Sequence, residues 1–132
     1  MRYLLDTSVC VHALRAHEPT LRRLAALGPD AVALSAMTVA ELRYGALKSR
    51  APEAASARLD QFLAVPEILA FDAEAAEYHA HGRRALEAAG TPIGERDLVI
   101  AATALVHVLV VATANAREFR RVPGLGVEEW VG

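Results

Sequence analysis

Asp6 ends a short apolar run, Glu41 sits in the early turns of a helical pattern, Asp97 opens another, and Asn115 and Glu118 follow a further apolar run. Each has an ordinary role open to it. Asp6 can cap a helix, Glu41 can sit on a solvated helix face beside an arginine, and Asp97 can complement a helix dipole. Together they allow a different chemistry. Carboxylates that converge repel one another, and a cation is the expected compensation. An all-oxygen set of one or two carboxylates plus water suits magnesium, with manganese as the usual substitute. Nothing near these residues suggests zinc: His79 and His81, two apart on a helix, point about 200° away from each other. His107 reads as a C-terminal helix cap, and Cys10 as a small core residue.

Whether the acids converge depends on the elements that carry them. Arg2 to Leu5 reads as a strand running into a helix from Val9 to about Ala16, with Asp6-Thr7-Ser8 as the capping cluster. Pro19 to Leu27 is a second helix, closed by Gly28-Pro29, and Ala31 to Leu34 a second strand. Ser35 or Thr38 caps a helix in which Val39, Leu42, Ala46 and Leu47 recur at helical spacing. A helix from about Pro52 to Leu63 precedes a short strand, Ile68 to Phe71. Asp72 to Ala89 is a long amphipathic helix closed by Gly90. After the loop Thr91 to Gly94 comes the Asp97 helix, which passes into a strand from Val108 to Thr113; Val127 to Trp130 adds a final strand.

Short apolar strands alternating with helices predict a three-layer α/β/α sandwich with a mostly parallel central sheet. In such a sheet the helix N-termini and strand C-termini share one edge, where sites form. Asp6, Glu41, Asp97, Asn115 and Glu118 all project onto that rim. Thr7 and Thr113 are placed to donate hydroxyl hydrogen bonds to carboxylates or phosphate.

The 132 residues suit one domain spanning 1–132, and no Gly/Ser/Pro-rich stretch, repeat or charge block marks a linker. A formal net charge of −2 carries no general signal for nucleic acid, so a nuclease reading rests on local arginines. Arg22/Arg23, Arg83/Arg84 and Arg117/Arg120/Arg121 supply clusters whose bland reading is a solvated helix face. The lone Cys10 and the absence of a long apolar leader at the start point to the reducing cytoplasm. The apolar segment Leu98 to Ala114 falls short of the roughly 20 residues of a membrane span. It changes from alanine-rich to β-branched partway, as a buried helix followed by a buried strand would.

Four segments carry a resemblance: Leu4-Leu5-Asp6-Thr7-Ser8, Thr38 through Gly45, Asp97-Leu98-Val99-Ile100-Ala101-Ala102, and Thr113 through Phe119. In this order, with Val122-Pro123-Gly124-Leu125 and the closing Trp130, the sequence resembles the VapC toxins of the PIN-domain family over nearly its whole length. The resemblance implies the toxin of a type II toxin–antitoxin system, cleaving RNA phosphodiesters with magnesium. It implies Asp6, Glu41 and Asp97 as the acidic core, with Asp6 and Asp97 as metal ligands. Asn115 stands where many relatives carry a fourth aspartate or asparagine, and Glu118 matches the acid before the motif's phenylalanine. Ser8 replaces the family's common asparagine, so a hydroxyl takes the place of an amide. A VapB-type antitoxin across the groove, and a homodimer within a larger toxin–antitoxin assembly, are implied as well. Tyr44, Leu47, Leu59, Phe62 and Leu63 are candidates for such a face or for the core.

Two other readings meet specific obstacles. A haloacid-dehalogenase phosphatase needs a second aspartate two residues after the first, where this chain has Ser8; a receiver domain wants an early acidic pair and a late lysine, and neither is present. The non-enzymatic alternative, a catalytically inactive PIN-fold module that binds RNA or a partner, predicts eroded acids, whereas Asp6, Glu41 and Asp97 are all present.

Overall fold

The structure, a computed structural model, describes residues 2–130. The first strand, β1 (Tyr3–Leu5), is buried throughout and runs into α1 (Thr7–Leu14) through Asp6, whose carboxylate accepts the Val9 backbone N–H at 3.0 Å. Pro19 sits in the first turn of α2 (Glu18–Leu27), and Gly28, at φ +83°, ends it in a conformation open to glycine. A single 3₁₀ turn (Pro29–Ala31) leads into β2 (Val32–Ser35). The Ser35 hydroxyl then caps α3 (Ala36–Leu47) by accepting the Thr38 N–H at 3.1 Å. Next come α4 (Pro52–Leu63), β3 (Glu67–Leu69) and α5 (Ala73–Ala88), the last capped by Asp72. The chain closes with α6 (Glu95–His107), β4 (Val110–Thr113), α7 (Ala116–Phe119) and β5 (Val127–Glu129).

The five strands lie in the order β3-β2-β1-β4-β5, and every pairing is parallel. Alternate residues of the strands feed two cores, as the pleat requires. Leu4, Ala33 and Val111 face the α5 and α6 side, packing with Leu86, Ile100 and Phe119. Tyr3, Leu5, Leu34 and Ala112 face the opposite side, with Val9, Cys10, Leu42 and Leu59 from α1, α3 and α4. This is the expected three-layer sandwich, with the sheet wholly rather than mostly parallel. Because β1 has β2 on one flank and β4 on the other, the chain winds in opposite directions from it, and a crevice opens where the carboxyl ends of β1 and β4 meet.

Helix α6 is held firmly, since Leu98 through Ala104 are all buried and each fully buried Leu or Ile side chain contributes about 1.5–3 kcal/mol. No helix among the described residues is long and apolar enough to cross a membrane. The largest departure from expectation lies at the end of this helix. Val108, read from its β-branched neighbours as the start of a strand, is instead the left-handed C-cap of α6, with φ +54° and 90% exposure. The backbone closes the helix itself, through Leu109 N–H to Ala104 O at 2.9 Å and Val108 N–H to Leu105 O at 3.3 Å. His107 is therefore in the last turn without being the cap.

Other boundaries shift by a residue or two. Thr7 and Ser8 belong to α1, which stops at Leu14; β2 begins at Val32; and β3 spans Glu67–Leu69, leaving Phe71 outside the strand and exposed. The apolar residues proposed as one face divide. Leu59 is core at 1% exposure, Phe62 and Leu63 pack partly against it, and Tyr44 and Leu47 are open to solvent at 63% and 68%.

Candidate active site

Asp6 lies at the carboxyl end of β1, only 5% exposed, and both its carboxylate oxygens accept hydrogen bonds. One oxygen accepts from the Ser8 hydroxyl at 2.6 Å and the Val9 N–H at 3.0 Å; the other accepts from the Thr113 hydroxyl at 2.5 Å. Both hydroxyls have their acceptor side filled as well: Ser8 takes the Ala114 N–H at 3.0 Å, and Thr113 takes the Asn115 N–H at 2.9 Å. Two adjacent parallel strand ends are thereby tied through one carboxylate. Burial raises the Asp6 pKa from its ordinary value, with the hydrogen bonds from Ser8, Thr113 and the backbone opposing that rise. The Ser8 hydroxyl thus bonds where the family's asparagine amide would stand. Thr113 contacts the carboxylate, as sequence reasoning allowed.

Glu41, one turn and a half into α3, is reached from α1. The Thr7 hydroxyl donates to its Oε1 at 2.5 Å and stands 3.4 Å from the Thr38 hydroxyl. The other Glu41 oxygen, Oε2, lies 3.5 Å from the Arg96 guanidinium. Asp97 is in the first turn of α6, beside Gly94 and Glu118. The Gly94 N–H donates to Glu118 Oε2 at 3.4 Å, which places the Glu118 carboxylate next to that of Asp97. Burial first, then the adjacent Glu118, then the charges of Asp6 and Glu41, push the Asp97 pKa up from 3.8 to about 6.

Asp6, Thr7, Ser8, Glu41, Asp97, Asn115, Arg117, Glu118 and Phe119 line one open cavity of about 590 Å³, within the ~300–1,000 Å³ range of small-ligand sites. All four predicted acids and Asn115 are therefore brought together. Asn115 precedes α7 and is exposed; its side chain makes no capping hydrogen bond. Thr113 is the exception among the anticipated residues, buried behind Asp6 rather than lining the cavity. Sequence reasoning missed Arg96 beside Glu41 and the bridging bond of Ser8. Arg96 carried a signal, as the cationic neighbour of Asp97 in a helix first turn; the partner of Ser8 is 106 residues away and carried none.

The raised Asp97 pKa, to which Glu118, Asp6 and Glu41 all contribute after burial, marks a concentration of negative charge that a cation would relieve. The donors are all oxygens, which fits a hard divalent ion. Among the described residues no group of three or more Asp, Glu, His or Cys side chains is placed to hold a metal ion on its own. The two helix histidines are bound elsewhere, His79 to Glu95 at 2.9 Å and His81 near Glu77 at 3.8 Å.

A sequence profile of the PIN domain matches residues 3–125. The chain belongs to the PIN-domain family. Within it, the chain falls among the VapC ribonucleases. It is 37% identical over 130 residues to the tRNA(fMet)-specific endonuclease VapC of Salmonella typhimurium, covering 98% of both chains. Its identity to Ribonuclease VapC2 of Rickettsia felis is 38% over 132 residues, again covering 98% of each. In three dimensions it is similar to the toxin in DNA-bound VapBC from Salmonella typhimurium, with a TM-score of 0.94, 36% identity and 99% of each chain covered. The match to VapBC2 of Rickettsia felis on a promoter DNA fragment has a TM-score of 0.93 and 36% identity, over 99% of this chain and 100% of the other.

Proposed function

We propose that this PIN domain is the toxin of a toxin–antitoxin pair and hydrolyses RNA phosphodiester bonds with magnesium at the Asp6–Asp97 rim. The observation that carries the reading is the single open cavity lined by Asp6, Glu41, Asp97 and Glu118, a charge arrangement poised for a cation. Asp6 and Asp97 are the residues that would hold magnesium, or manganese in its place. When bound, the ion supplies positive charge to the phosphoryl oxygens and makes nearby water more acidic.

The protein's own part is positioning. Ser8, Thr113 and the Val9 N–H fix both oxygens of Asp6, so that carboxylate needs little reorganisation. Thr7 holds Glu41 toward the same cavity, where it orients the attacking water or completes the outer set around the cation. Glu118 accepts the Gly94 N–H and sets a second negative charge beside Asp97, raising its pKa. Asn115, neutral, offers a hydrogen-bonding amide to the cavity without adding to the repulsion.

Relatives solved as VapBC complexes support a VapB-type antitoxin as partner. Such an antitoxin would lie across the open acidic cavity of about 590 Å³. Exposed Tyr44 and Leu47 on α3 suit a homodimer contact; light scattering of the purified chain tests that state. Incubating the chain with a total transfer-RNA pool, with initiator transfer RNA as the first defined substrate, tests the activity. Magnesium-dependent cleavage abolished by chelator is expected. RNA left intact at every magnesium or manganese concentration would contradict the proposal.

A further inference from the structure

The three arginine clusters of the sequence differ sharply in what they touch. Arg22 is held by Glu18 at 2.6 Å, and Arg23 lies near Glu128 and over the Trp130 ring. Arg83 donates to Glu87 at 3.1 Å. Arg120 pairs with Glu129, and Arg121 donates to the Pro92 carbonyl at 2.9 Å. Arg117 alone of these lines the acidic cavity, and no carboxylate lies within ion-pair distance of it among the described residues. A second depression of about 350 Å³, lined by Gly94, Glu95 and Arg96, shares Glu41 and Asp97 with the first as a common wall. Arg96 and Arg117 therefore stand on either side of the carboxylates, one in each depression.

Resting on the ribonuclease reading, we propose that Arg96 and Arg117 bind the RNA backbone phosphates flanking the scissile bond, so that the strand crosses the Glu41–Asp97 wall from one depression to the other. The chain's formal charge of −2 provides no broad attraction for RNA, so the strand must be drawn in by charges beside the acids. A guanidinium suits this task, being permanently charged and able to grip a phosphate with two parallel N–H donors. Arg117 is ready as it stands. The Arg96 contact to Glu41, at 3.5 Å with the Arg96 side chain 71% exposed, is an ion pair of small worth. An incoming phosphate can displace it and leave Glu41 to the cation and water.

The test measures cleavage of a labelled single-stranded RNA by wild type, Arg117→Gln, Arg96→Gln and the control Arg120→Gln. Binding of the same RNA is also measured across salt concentrations in the cleavage-deficient Asp97→Asn background. Each of the first two variants should raise KM about tenfold, the scale of a lost charged hydrogen bond, with kcat within about threefold of wild type. The slope of log affinity against log salt should fall by about 0.7 for each arginine removed. Arg117→Lys should recover part of the affinity, and Arg120→Gln should match wild type. An unchanged KM and salt slope in both Gln variants overturns the assignment, as does an equal loss in Arg120→Gln. Absence of cleavage by the wild type itself sinks the ribonuclease reading instead, and the salt slopes still judge the arginines.

Discussion

The acidic rim has two halves built on opposite principles. Around Asp6, at the junction of β1 and β4, hydroxyl and backbone donors occupy both carboxylate oxygens, and the residue is buried and fixed. Around Asp97, at the junction of α6 and α7, a second carboxylate takes the place of donors, and the pKa is driven to about 6. One half is organised before any ligand arrives; the other is held at a cost until positive charge reaches it.

The largest expected effect treats the halves alike. Asp6→Asn and Asp97→Asn should each lower kcat for RNA about 10³-fold or more, since each removes charge where the proposed cation would bind; single-turnover cleavage at saturating magnesium checks this. The halves part company in stability. Asp6→Ala removes the α1 cap and leaves the buried Thr113 hydroxyl without its acceptor, costing about 2–3 kcal/mol in urea unfolding. If it costs nothing, Asp6 is not the anchor.

Asp97→Asn should instead stabilise the metal-free protein near neutral pH. The folded-state pKa of about 6 exceeds the ordinary 3.8, so ionisation works against the fold. The penalty is complete above about pH 6 and disappears below about pH 4. With the carboxyl half open to water, screening reduces it to about 1 kcal/mol. Thermal unfolding of the metal-free variant at pH 7.5 should show a higher Tm than wild type, and the gap should close by pH 4. A Tm below wild type at pH 7.5 would remove the contrast between the halves. The smallest effect belongs to Glu118→Gln, which should move the Asp97 pKa back toward the ordinary carboxylate range. Carboxyl-carbon NMR titration reads it directly, with a gain in stability below about 1 kcal/mol.

Much of this was legible in the residues. Strand-ending Asp6, α3-borne Glu41 and helix-opening Asp97 could be assigned to one edge because a parallel sheet puts helix N-termini and strand C-termini together, and they do line one cavity. The elements were found wherever caps and apolar runs agreed. The misreadings share a cause, that local propensity was overridden by the demands of the turn. Val108 looked like strand, yet the chain needs a left-handed residue to swing from α6 into β4. What lay beyond the sequence was pairing across long separations, such as Ser8 with Ala114, Thr113 with Asp6 and Arg96 with Glu41. Residue type gave the capacity for these bonds, and only the topology chose the partners. The same holds for the arginine clusters, most of which proved to be paired away from the rim.

The central claim is that a divalent cation binds where the anchored and the strained carboxylates face each other. Crystals soaked in manganese, with anomalous diffraction measured at the manganese edge, test it most directly. The account predicts one dominant peak within ligand distance of both Asp6 and Asp97, absent from Asp97→Asn crystals. A peak bound elsewhere, or one that persists unchanged in that variant, would contradict it.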